Sequence, residues 1–299
     1  MIVRDKPGPL QLLFAVRGSV LPHIAWELAV VIGLAAGLVW VDRHVAALPH
    51  LSATPFAVFG IALSLFLGFR NNAAYDRWWE ARKLWGGLLA DLRTYARTLE
   101  IFLPDPAARK DQLRLALAFL HLHRLNLRRQ PMDAAATRAL ASLPSLAQAP
   151  HPPCAALDAM TAGLAAARER GDLDGFGARA LSARLDNMAL QQAGCERIAG
   201  TPLPYVYSLL IYRTSYLYCG LVPLALLETA GWLTPLFAGI VAYVFFGLAE
   251  VTEELAHPFG LTPNGLPLEA ICRTAEISLA PHLGEPVPPP LMPRNFRLD

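Results

Sequence analysis

Few residues in this chain are of types and at spacings that could do chemistry. Glu254-Leu-Ala-His257 has the ExxH spacing, which sets both side chains on one face of a helix. Di-iron carboxylate bundles use two such motifs plus two further glutamates. Only one copy occurs here, so a membrane metal-carboxylate enzyme is a remote reading, and no metal, cofactor or catalytic residue is expected. His121 and His123 are two apart, about 200° around a helix, and cannot easily share a metal. Cys154, Cys195, Cys219 and Cys272 form no CxxC pair and read as unpaired thiols in a reducing compartment. Arg213 interrupts an apolar run, and a charge there must face protein or water. The most informative stretch is Phe59 to Gly86, FGIALSLFLGFRNNAAYDRWWEARKLWG. Its apolar part runs straight into Arg70, Asn71, Asn72, Asp76 and Arg77.

The elements that must position these residues are those of a membrane protein with a soluble portion. Hydrophobic residues make up 54% of 299, charged residues 17%, against roughly 25% charged in a typical soluble domain. Mean hydropathy is +0.35. The net charge of +2 and the lack of any basic block argue against a nucleic-acid partner. No apolar run adjoins the charges of MIVRDKPGPL, so a cleaved signal peptide is not expected. Four segments read as membrane helices: Ile24 to Val41, Thr54 to Phe69, Leu203 to Leu227 and Leu233 to Ala249. Arg4, Lys6 and Arg17 precede the first, and Arg70, Arg77, Arg82 and Lys83 follow the second. Only Arg43 lies between these two, and no basic residue separates the last pair. The positive-inside rule puts both termini and the central region in the cytoplasm.

Nothing reads as a series of strands, so the expected class is all-α. The expected organisation is residues 1–76 with the first two membrane helices, a cytosolic helical region 77–201, two further membrane helices over 202–256, and a cytosolic segment 257–299. The tail from Pro281 is Pro-rich and is expected to be extended.

On a helix that advances about 100° per residue, Ile61, Leu65, Phe69, Asn72 and Asp76 fall on one narrow stripe, with Arg70 and Arg77 on the far side. Apolar residues at this spacing are commonly lipid-facing or core residues. The alternative is a hydrophobic constriction, built from rings contributed by several subunits, that gates by dewetting. The second reading accounts for the stripe turning polar where water begins.

The stretch Gly68 to Gly86, GFRNNAAYDRWWEARKLWG, resembles the signature of the bestrophin family in its prokaryotic branch. Arg17-Gly-Ser19, Pro202-Leu-Pro-Tyr-Val-Tyr207, His257-Pro-Phe-Gly260 and Glu276-Ile-Ser-Leu279 agree with it. The resemblance implies a homopentameric ion channel, not an enzyme, in a bacterial inner membrane, with one pore on the five-fold axis. It implies that Ile61, Leu65 and Phe69 form the neck. It also implies a second, cytosolic constriction between Leu181 and Gln192, for which Leu185, Met188 and Leu190 are candidates. The expected partners are further copies of the chain, permeating monovalent ions and membrane lipids.

Two departures bear on function. Animal members carry a calcium clasp with an acidic cluster after the NPFG turn. Here HPFG is followed by Leu261-Thr-Pro-Asn-Gly265, with no carboxylate before Glu269. Calcium takes six to eight oxygen ligands, usually including carboxylates, so calcium gating is not expected. Animal and plant members conduct anions, while a bacterial branch is associated with monovalent cations. An Asp76 ring would favour sodium and potassium. Asn72 and helix N-termini facing the pore would suit chloride. Asp76 could also serve only to pair with a neighbouring arginine. A non-conducting scaffold is a further alternative.

Overall fold

The computed structural model describes residues 1–3, 8–13, 15 and 18–299. Arg4, Lys6 and Arg17, used above for orientation and for the Arg17–Ser19 match, lie outside the described residues. Ten α-helices occur among the described residues: α1 Pro9–Leu13, α2 Leu21–His44, α3 Ala53–Phe102, α4 Pro106–Arg128, α5 Ala134–Ala139, α6 Pro152–Glu169, α7 Gly175–Gly200, α8 Tyr205–Ala230, α9 Thr234–Ala256 and α10 Leu268–Leu283. No strand forms among them, only isolated bridges such as Ile2 with Arg297. The all-α expectation holds.

The chain divides into two compact units. One comprises Arg4–Trp78 and Pro202–His257, the other Met1–Val3, Trp79–Thr201 and Pro258–Asp299. Helices long and apolar enough to cross a membrane occur over Leu21–His44, Ala53–Phe102 and the run Tyr205–Ala256. That last run is two helices. The chain breaks at the short 3-10 turn Gly231–Leu233, where Gly231 takes φ +54°. A left-handed φ disfavours any side chain, and a Cβ here would also meet the Arg43 guanidinium, which lies over the Trp232 ring at 5.0 Å. Thr234 then donates its buried hydroxyl to the Leu226 carbonyl at 3.0 Å, tying the start of α9 to the last turn of α8.

In this apolar unit, α2, α3, α8 and α9 share one core. Val31, Leu67, Cys219, Ala242 and Phe246 are among its members. Small residues allow close approach. At Gly60 a Cβ would stand 2.5 Å from the Tyr218 hydroxyl, so the missing side chain makes room for that ring against α3.

The polar residues from Arg70 onward continue the helix of the second membrane segment, as the stripe through Asp76 implies. That helix runs unbroken through 50 residues to Phe102, about 75 Å at 1.5 Å per residue.

In the other unit α4 is the central element, packed by α5, α6, α7 and α10. Asp105 caps its N-terminus through a bond from the Ala107 N–H at 2.9 Å, and Asp133 and Asp174 cap α5 and α7 in the same way. Several of its polar side chains are buried and paired. Arg124 bonds Asp133 and Glu269, Arg128 bonds Glu269, and His121 meets Glu276 at 2.8 Å. His121 and His123, read as ordinary packed or surface residues, are both buried. His123 stacks on Trp85 and Phe119, with ring centroids 5.5 and 5.9 Å away. Both chain ends are tied into this unit: the Met1 ammonium donates to the Leu298 carbonyl and the Ala270 N–H to that of Asp299. Helix α10 extends through Pro281 to Leu283, so the non-helical tail begins later than expected.

Burial, with a smaller contribution from the charge of His151, pushes the His123 imidazole down to about 3. The unfolded chain takes up this proton near its ordinary value of 6.5. Unfolding is therefore favoured as pH falls from about 6.5 toward 3. Thermal midpoints of detergent-purified protein should drop across this window. In His123→Phe, which keeps the aromatic stack, the slope should be shallower by one titrating group.

Candidate pore-lining face

Helix α3 has one face that is buried from Leu63 to Leu99. Leu63, Leu67, Arg70, Ala74, Ala81, Trp85, Leu88, Leu92 and Leu99 are all buried, and all lie within about 40° of a single line at 100° per residue. Relative to that line, Ile61, Leu65, Phe69, Asn72 and Asp76 fall between about 160° and 240°. They are the diametrically opposite stripe, and all five are exposed, with Ile61 at 71%, Leu65 at 57% and Phe69 at 55%. The helix thus presents to the outside of the protomer a face that is apolar over its first turns and polar over the next two.

Arg70 is the one charge on the buried line within the apolar unit. It is 6% exposed and donates from Nη2 to Glu253 Oε2 at 2.8 Å and to Ser208 Oγ at 3.0 Å. Arg77 donates from Nε to the Ala256 carbonyl at 2.8 Å, an acceptor freed by the end of α9. The Thr252 hydroxyl approaches Asn71 Oδ1 at 3.4 Å. The arginines at the polar transition are therefore anchored to α8 and α9, away from the exposed stripe. Asp76 forms no ion pair or hydrogen bond among the described residues, so it is not held by a neighbouring arginine within the protomer. Arg213, inside α8, is exposed and also has no partner among the described residues.

The three candidates for a second constriction separate by burial. Leu185 and Met188 are directed into the core of their own unit, at 7% and 0% exposure. Leu190 is 69% exposed and is the one of the three that presents its side chain outward.

The ExxH pair does not act together. His257 turns to Glu253, with its Nδ1 3.0 Å from that residue's carbonyl oxygen. Glu254 instead joins His23 and Glu250, whose possible ligand atoms all lie within 4.8 Å of one another. No sequence pattern points to this grouping, because His23 comes from α2, over 220 residues earlier. The Arg70–Glu253 pair was hidden for the same reason: an acidic cluster at 250–254 was visible, but not which carboxylate meets the arginine.

The family model for the bacterial/fungal bestrophin protein matches residues 1–281. The chain belongs to the bestrophin family. A voltage-dependent anion channel-forming protein of Mesorhizobium japonicum is 44% identical over 301 residues, covering 98% of this chain and 95% of that protein. One from Escherichia coli K12 is 36% identical and covers 100% of both. A crystal structure of a bacterial bestrophin homologue from Klebsiella pneumoniae superposes with a TM-score of 0.81 at 33% identity, covering 88% of this chain and 99% of that one. Those relatives bear the names of channels, not of enzymes. Bestrophin membership and the apolar helices together make this a membrane protein.

The Arg70–Glu253 pair gives a stability test. Removing one partner of a buried pair leaves an uncompensated charge. In detergent-purified protein, Glu253→Ala should lower the thermal midpoint, with a cost of about 2–3 kcal/mol, discounted because the carboxylate is half exposed. Adding Arg70→Met in the same chain should recover at least half of that loss. Additive losses would show that the pair contributes nothing specific.

Proposed function

We propose that the chain assembles as a homopentamer around a central pore and conducts monovalent ions passively. The exposed stripe of α3 would line that pore. The observation that carries this reading is the opposition of the two α3 faces. One is buried from Leu63 to Leu99, while the other is exposed and turns from Ile61, Leu65 and Phe69 to Asn72 and Asp76. Rings of the three apolar residues form a neck that conducts when transiently wetted, and the polar rings below open onto a wet cytosolic vestibule. Arg213, exposed on α8 without a partner in the protomer, fits a surface that a second copy covers, since a lone charge facing lipid is costly. Leu190 is retained as the cytosolic constriction. The protein sits in a bacterial inner membrane as a multi-pass protein, with both termini in the cytoplasm.

The preferred ions are sodium and potassium. An Asp76 side chain that is exposed and unpaired within the protomer supplies a ring of negative charge, and such rings favour cations. A second reading, chloride or another anion, is favoured by the names of the relatives, which are called anion channel-forming. Calcium does not gate the channel. The loop Leu261 to Gly265 has no carboxylate, and the next one, Glu269, is engaged by Arg124 and Arg128.

Reversal potentials of reconstituted protein under a potassium chloride gradient separate the readings. The cation reading expects a shift toward the potassium equilibrium potential that shrinks in Asp76→Asn. The anion reading expects the opposite sign and little change in that variant. Leu65→Ala, which widens the neck, should raise flux several-fold, whereas a non-conducting scaffold shows no flux in either protein. Flux should be the same with calcium or with chelator; a large, saturable calcium requirement overturns the absence of calcium gating.

A further inference from the structure

Within the apolar unit, α2, α3, α8 and α9 enclose a cavity of about 680 Å³, in the size range of small-molecule sites. Its charge is unbalanced. Among the described residues that line it, three carboxylates, Glu27, Glu250 and Glu253, stand against one guanidinium, Arg70, and no lysine. Arg70 is already paired with Glu253, and the Glu250 carboxylate has only the His23 ring, 3.4 Å away. Glu27 accepts from the Tyr216 hydroxyl at 3.3 Å through Oε1, while its Oε2 is buried with no partner. Ser215, 1% exposed and on the same cavity wall, also leaves its hydroxyl oxygen without a partner.

One wall is aromatic. Tyr212 and Tyr216 meet at a tilt with ring centroids 4.4 Å apart, and Tyr216 and Phe246 likewise at 4.6 Å. The rest is largely aliphatic, including Ile24, Leu209 and Ile211.

We propose that this cavity binds a primary ammonium ion carrying an apolar tail. An ammonium group brings three donors and no acceptor, which matches the unpartnered Glu27 and Ser215 oxygens. Its charge offsets the surplus carboxylates and is attracted by the aromatic faces, and the tail occupies the aliphatic remainder. A bare metal ion would leave most of this volume and its apolar walls unused. The ammonium could belong to a soluble amine or to an ethanolamine lipid headgroup. The proposal does not depend on conduction, and a protein that passes no ions could still bind the amine.

The test is equilibrium dialysis of labelled n-hexylammonium against full-length protein in lipid nanodiscs of phosphatidylcholine. Saturable binding of one probe per chain is expected, with n-hexanoate failing to compete. Loss of a charge-assisted hydrogen bond should weaken affinity about tenfold or more in Glu27→Gln, while Glu285→Gln, a surface charge outside the cavity, leaves it unchanged. If Glu27→Gln fails to elute like the wild type, Ser215→Ala carries the test, with a several-fold loss expected. Absent binding, equal competition by hexanoate, or unchanged affinity in a folded cavity variant overturns the proposal. Repetition in phosphatidylethanolamine discs identifies the source. Reduced probe occupancy there assigns the site to the lipid headgroup, and unchanged occupancy assigns it to a soluble amine.

Discussion

A guanidinium cannot be left in an apolar interior without a counter-charge, and Arg70 lies on the buried line of α3. Its pairing with Glu253 and Ser208 fixes how α3 is rotated against α8 and α9. Once that rotation is set, helical geometry leaves no freedom for the opposite side. Ile61, Leu65, Phe69, Asn72 and Asp76 must face away from the protomer, and they do. The glycine at position 60 reinforces the same arrangement by letting the Tyr218 hydroxyl approach the α3 backbone.

The length of α3 has a related cause. Its buried line continues through Ala81, Trp85, Leu88, Leu92 and Leu99, so the far half of the helix is held by packing of the same face. The polar residues from Arg70 onward do not end the helix, because its backbone bonds are internal and its side chains sort by face. Past Phe69 the exposed stripe turns polar, at Asn72 and Asp76, with no change of secondary structure.

In the other unit the ordering element is a helix rich in buried polar groups. Arg124, Arg128 and His121 on α4 reach Asp133, Glu269 and Glu276 on α5's cap and α10. Burial alone would raise the Glu276 carboxyl, but the hydrogen bond from His121 and the charges of His121 and Arg273 hold it below its ordinary value. Such pairs contribute more to register than to net stability. They engage Glu269, which in an open loop would have been available to a cation.

Composition and periodicity in the sequence were enough for the all-α class, the apolar segments and the α3 stripe, because hydropathy and a 100° repeat are local properties of the chain. The signature from Gly68 to Gly86 was enough for the family. The tertiary structure decided what depends on distant residues. It made α3 one unbroken helix, directed Leu185 and Met188 inward and Leu190 outward, matched Arg70 with Glu253, and assembled the Glu27, Ser215 and Tyr216 cavity from four helices. A sequence shows which face a residue shares with its neighbours on one helix. Which of those faces is covered depends on the packing of other helices, and only the folded chain settles that.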